Sequence, residues 1–352
     1  MAKTNRLADK VLGTLQRAAA QLGTDNPGRN MEGLIQRTFT LPQGDPRYAM
    51  NALTPGAAPF EPSYSELESD KLRVNLQPLG PEASGIDRRD EATREMRRLV
   101  GGYFGGDALR WFDERSEPWR GFGSGSNLHF GAFFGTSHDR DGLYNSKVYY
   151  ESGPNQIDAL PADLFGVVSA ATSMLPSLRP LFTTIAAQRD RGGQRLTCAY
   201  PAPLRLADLQ PLLEAFGLGN RLPAILQIVG ITLGGRFDLP PDSTLMGIGL
   251  APDGLEFELY ILLDRIPDLP VNFLSLLTLG LSERPRELGA LERWMSAFTP
   301  DDDVWPGRFS IMSVRTSPRM PPRVSLYLRP AEFEIPDSAL SAGNGNRQLI
   351  AV

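Results

Sequence analysis

Between residues 255 and 262, Leu255, Phe257, Leu259 and Ile261 alternate with Glu256, Glu258 and Tyr260. A period of two predicts a β-strand with one apolar and one polar face. Residues 244–250 and the turn Ala251-Pro252-Asp253-Gly254 precede it, so the two runs predict a β-hairpin. The design recurs at 309–315 with 323–328 about a Pro-rich turn, and at 128–134 with 144–150 about an Asp/Gly-rich one. Fainter pairs stand at 182–188 with 195–200 and at 60–65 with 71–76. Helical spacing predicts an N-terminal helix over 5–22 and further helices over 88–110, 162–178, 206–228 and 271–298, some broken internally, while 42–59 reads as a connecting loop. Hairpins separated by helices predict an internal repeat. Ten antiparallel strands with helical crossovers most economically close into a barrel, because closure removes edge strands.

The second strand of each hairpin tells the faces apart. Lys71, Arg73 and Asn75, Lys147 and Tyr149, Arg195 and Thr197, Glu258 and Tyr260, and Arg323, Ser325 and Tyr327 share one parity. The other parity is largely apolar: Leu72, Val74, Leu76, Val148, Leu196, Cys198, Phe257, Leu259, Val324, Leu326 and Leu328. The apolar face therefore wants a helical cover, and the polar face lines the lumen.

Composition supports this reading and narrows it. With 35 Gly and 30 Pro in 352 residues the chain favours turns over long helices. A net charge of −5 argues against a nucleic-acid partner. Cys198 is the sole cysteine and the first residues show no charged-then-apolar signal pattern, so a reducing cytoplasm is the expected setting. The longest apolar run, 222–233, is too short to span a bilayer as a helix.

A lumen holding Arg73, Lys147, Arg195 and Arg323 would repel itself if empty and makes sense around a polyanion, which arginine can bind bidentately. Tyrosine faces on the same side could shield a carbocation, at about 2 kcal/mol or more per desolvated contact. Asp301-Asp302-Asp303 reads as a turn and capping run rather than a metal motif. His129 and His138 lack partners at metal-ligand spacing. The glycine-rich 121–125 lacks the Lys-Ser/Thr and βαβ context of a phosphate loop. Met246, Met312, Phe130, Phe133, Phe134 and Trp305 are either pocket lining or ordinary packing.

The segments LRVNLQP from Leu72, SKVYYE from Ser146 and PRVSLYLRP from Pro322 resemble the DMATS branch of the ABBA (PT-barrel) aromatic prenyltransferases, particularly bacterial tryptophan prenyltransferases. The resemblance implies an α+β fold: a ten-stranded antiparallel barrel of αββα repeats with a polar lumen and an outer ring of helices. It implies one domain, with an N-terminal helix and loop over 1–58, barrel repeats over 59–336 and a tail over 337–352. The implied reaction moves a dimethylallyl or geranyl group from its diphosphate to an indole or tryptophan-derived acceptor, with no obligatory metal or other cofactor. Arg73, Lys147, Arg195 and Arg323, with Arg315 as a fifth, would bind diphosphate, and Tyr149, Tyr260 and Tyr327 would shield the cation. PFEPS resembles the first-strand Glu motif, making Glu61 the implied base, with Glu66 and Glu68 as alternatives.

Two departures stand out. Where the family often carries Arg-x-Lys-x-Tyr, this chain has Arg195-Leu196-Thr197-Cys198-Ala199, so Thr197 and Ala199 are expected to enlarge the pocket and admit geranyl. Glu258 sets a carboxylate where an anion should bind. Partners are expected to be small molecules, with no nucleic acid or membrane, and the resemblance permits a monomer or a homodimer. The rival readings are prenylation of Trp or Tyr within a peptide and a non-catalytic ligand-binding barrel. An outer-membrane barrel would lack the helical crossovers.

Overall fold

The computed structural model describes residues 7–121, 128–153, 156–189, 191–251, 254–336 and 338–339. Residues 5 and 6 of the expected first helix, Pro252 and Asp253 of the expected turn, the glycine-rich 122–125 and most of 337–352 lie outside them. Helices α1 (Leu7–Leu22) and α2 (Pro27–Thr38) precede the first hairpin, β1 (Phe60–Ser65) and β2 (Leu72–Leu76). Then come α3 (Gly85–Tyr103), α4 (Gly105–Arg120), β3 (Ala132–Asp139), β4 (Gly142–Glu151), α5 (Ala162–Met174), β5 (Arg179–Gln188) and β6 (Gly192–Tyr200). A small ribbon of β7 (Leu204–Arg205) and β8 (Asp238–Leu239) brackets α6 (Gln210–Ala215) and α7 (Leu222–Thr232). The chain continues through β9 (Thr244–Ala251), β10 (Gly254–Leu262), α8 (Phe273–Leu281), α9 (Pro285–Phe298), β11 (Gly307–Thr316) and β12 (Arg323–Pro330).

Ten strands close into a barrel in the order β1-β12-β11-β10-β9-β6-β5-β4-β3-β2, and all neighbours run antiparallel. Each hairpin expected from alternation is present. Val74, Val148, Leu196, Phe257, Val314 and Leu326 are buried on the apolar parity, in one core with Leu99, Leu164, Ile225 and Trp294 from the helices. Each such side chain contributes about 1.5–3 kcal/mol relative to exposure. Because the helices cover that face, the opposite face is left to form the lumen. Among the described residues no helix is long and apolar enough to cross a membrane.

Three boundaries differ from expectation. The third strand begins at Ala132 and runs to Asp139, so Gly135, Thr136 and Ser137 are ladder residues rather than turn. Turn-like chemistry is tolerated there because Gly135 pairs with Asn75 and Lys147, and Ser137 with Arg73 and Asn145, all in the closed sheet. The helical run over 88–110 is two helices, separated at Gly105, whose φ of 89° suits glycine. An additional helix, α2, starts where Asn26 accepts a hydrogen bond from the Gly28 amide and Pro27 fills the first turn.

Candidate active site

Inside the barrel lies a cavity of about 1570 Å³. Both Asn145 and Glu151 of β4 line it, and at roughly 3.3 Å per strand residue it follows that strand for about 20 Å.

Glu61 lines this cavity. It is 2% exposed. Its Oε2 accepts from Asn75 Nδ2 at 3.1 Å and its Oε1 from Ser310 Oγ at 3.4 Å. Burial pushes its pKa up to about 7, although Asn75, Ser310 and the charges of Lys147 and Arg329 oppose the rise. Asn75 is fixed in turn: its Oδ1 accepts from the Tyr149 hydroxyl at 3.1 Å. Of the alternative carboxylates, Glu66 is engaged outside the cavity, and Glu68 lines it beside an arginine. Glu66 accepts from Arg284 Nη1 at 2.7 Å and from the Val324 amide at 2.5 Å, which leaves it no role as a lumen base. Glu68 lies 3.3 Å from Arg73.

The cations divide. Arg73, Lys147, Arg195 and Arg315 line the cavity, whereas Arg323 does not. Expected to bind diphosphate, Arg323 instead approaches the buried Glu66 at 3.9 Å, at the strand's end. Lys147 is buried deeply enough that desolvation, aided by Arg73 and Arg195, lowers its pKa to about 7. Its ammonium lies 5.3 Å from the centre of the Tyr149 ring. Arg195 donates through Nη1 to Glu258 and through Nη2 to Glu256, and Arg315 also pairs with Glu256. Although burial opposes ionisation of Glu258, Arg195 and Arg315 hold its pKa down at about 2. The carboxylate that looked out of place is therefore paired. Glu256, which alternation alone did not single out, is its companion.

Tyr149, Tyr260 and Tyr327 all line the cavity. Burial pushes each phenol's pKa upward, so all three are neutral near pH 7. Tyr260 and Tyr327 lie 6.3 Å apart, and Tyr149 makes edge contacts with Phe182 at 5.6 Å and Phe133 at 6.5 Å. Phe130 stacks on Phe133 at 4.4 Å. These rings give the cavity an aromatic wall.

Thr197 and Ala199 correct the expectation that they widen the pocket. Both are buried and absent from its wall; the wall is formed there by their cross-strand partners Phe182 and Leu245. Of the remaining candidates, Phe130, Phe133 and His129 reach the cavity, Phe134, Met246 and Met312 pack in the core, and Trp305 does neither. His138 is enclosed beside Asp25, its pKa lowered to about 4 by burial. Asp301 to Asp303 form an exposed turn. Among the described residues no group of three or more His, Cys, Asp or Glu is arranged to hold a metal ion.

A closed ten-stranded antiparallel barrel with helices outside and a polar lumen is the ABBA, or PT-barrel, prenyltransferase architecture, and this chain has it. Its structural neighbours are tryptophan prenyltransferases of the DMATS type. A 6-dimethylallyl tryptophan synthase superposes with a TM-score of 0.73 at 14% identity, covering 93% of this chain and 97% of that one. The 6-dimethylallyltryptophan synthase from Micromonospora olivasterospora, in complex with DMASPP and Trp, gives 0.72 at 16% identity, over 93% and 98%. The 5-dimethylallyltryptophan synthase from Streptomyces coelicolor gives 0.65 at 16% identity, over 95% and 100%. No family model and no curated protein matches the chain.

Proposed function

We propose that the protein is an aromatic prenyltransferase that moves a prenyl group from an allylic diphosphate to an indole or tryptophan-derived acceptor. The observation that carries this reading is a buried carboxylate with a pKa near 7, Glu61, in one cavity with Arg73, Lys147, Arg195 and three tyrosines. The neighbours named as tryptophan prenyltransferases, one of them holding DMASPP and Trp, favour the same chemistry. The partners are small molecules, the setting is cytoplasmic, and the active species is a monomer or a homodimer.

In this mechanism the allylic C–O bond ionises and the electron pair leaves with the diphosphate. Arg73, Lys147 and Arg195 bind that anion, with Arg315 acting through its shared carboxylate. Their fixed positive charge stabilises the leaving group more in the transition state than in the bound donor. The faces of Tyr149, Tyr260 and Tyr327 shield the cation from water. A ring carbon of the acceptor attacks, and Glu61 takes the proton released as aromaticity returns. A base works best with a pKa near the operating pH, and burial brings Glu61 there. An anion beside Lys147 would also restore the ammonium that burial and the neighbouring arginines disfavour.

Glu61→Gln keeps the shape and removes the base. Prenyl transfer should fall by about 10²–10⁴-fold while donor binding persists. Unchanged turnover in the variant, measured by product mass, would remove Glu61 from the mechanism.

A further inference from the structure

Resting on the prenyl-transfer reading, we propose that Glu256 and Glu258 form an internal counter-anion on Arg195, which a donor diphosphate must displace, and that they thereby set donor affinity. The sheet is built for this pairing. Arg195 on β6 and the two glutamates on β10 are separated by β9, in register through Gly249 and Gly247. A Cβ on Gly247 would lie 3.0 Å from Arg195 Cδ, 3.2 Å from the Tyr260 ring and 3.4 Å from Glu258 Cβ. On Gly249 it would lie 3.4 Å from the Arg195 stem. Two glycines on the lumen face thus let a long arginine cross a whole strand and present both ends of its guanidinium to carboxylates.

Charge balance gives the pairing its consequence. On the strands lining the cavity, Arg195 and Arg315 are matched by Glu256 and Glu258, and Arg73 by Glu68. Among the described residues Lys147 forms no ion pair, and the buried Arg73 Nε donates to no acceptor. A diphosphate therefore meets Lys147 without a carboxylate partner and unsatisfied Nε–H groups on Arg73 and Arg315. It gains Arg195 only by parting that arginine from its carboxylates. Ser313 Oγ, which donates to Glu258 Oε1 at 2.7 Å, and Tyr260 remain to hold the released carboxylate. Glu61, Asn75 and Tyr149 take no part in these hydrogen bonds, so the glutamates act on the donor and not on the acceptor's base.

The test is calorimetric titration with inorganic pyrophosphate of the full-length wild type, Glu256→Gln, Glu258→Gln and the double variant Arg195→Gln/Glu258→Gln, with melting curves to verify folding. Both single variants should bind at least about tenfold tighter, a change of about 1.4 kcal/mol. The double variant should lose the gain. In turnover, the donor KM should fall in the single variants while the acceptor KM stays put. Should Glu258→Gln not fold, Glu256→Gln carries the same comparison. Unchanged or weaker pyrophosphate binding alongside wild-type prenyl transfer overturns the inference alone. Tighter binding by the variants without prenyl transfer by any protein sustains the inference and overturns the reaction. Binding by none overturns both.

Discussion

Glu61 acquires its chemistry from its surroundings. The barrel removes it from water, Asn75 and Ser310 orient it, and Tyr149 orients Asn75, so a carboxyl of ordinary pKa 4.5 titrates at about 7. The sign for the rate follows. The base acts as carboxylate, so kcat, read with donor bound and Lys147 held as the ammonium, should rise with pH and level off above an apparent pKa near 7. A profile already flat at pH 5 would contradict the assignment. At this scale the sequence was partly legible. The PFEPS segment pointed to Glu61, but preferring it required knowing that Arg284 and the Val324 amide claim Glu66 and that Glu68 faces Arg73. Arg323 misled for the same reason. Parity assigns a face, but the position along the strand decides whether a side chain enters the cavity or meets another charge at its end.

At the scale of elements, the ends of the strands do as much as their middles. The Glu66 carboxylate ties the turn after β1 to β12 and to the start of α9. Glu66→Ala leaves a buried amide unpaired and should cost about 1–3 kcal/mol, read as a lower denaturant midpoint with an unchanged slope. Gly135 on β3 has a different task. A Cβ there would come within 2.4 Å of Asn75 Oδ1 and 2.8 Å of Lys147 Cε. Gly135→Ala should therefore displace the partner of Glu61 and lower prenyl transfer by roughly tenfold or more, at about 1.4 kcal/mol per decade, with the far-ultraviolet spectrum intact. Wild-type turnover in that variant would show that Asn75 is not needed. Alternation made the hairpins readable, yet β3 was misplaced because Gly-Thr-Ser carries turn chemistry. Gly135 and Ser137 face the crowded lumen while Thr136 turns outward to Met31, a demand visible only once the strands around them are known.

For the whole molecule, closure converts a repeated hairpin into a chamber. β1 pairs with β12 and β6 with β9, so side chains from residues 61 to 327 meet in one cavity of about 1570 Å³. That exceeds the roughly 300–1,000 Å³ of an ordinary ligand pocket and leaves room for donor and acceptor together. Closure also explains what pattern reading could not reach. Arg195 and Glu256 are neighbours only across an intervening strand, and no spacing along the chain records that. With Thr197 and Ala199 off the wall, Phe182 and Leu245 border the cavity there. The most direct measurement is to incubate the protein with dimethylallyl or geranyl diphosphate and a panel of tryptophan and indole derivatives, and to read the products by mass spectrometry. The account predicts a product carrying one prenyl increment on at least one acceptor, formed by the wild type and lost with Glu61→Gln. Intact acceptors throughout the panel with both donors would contradict it.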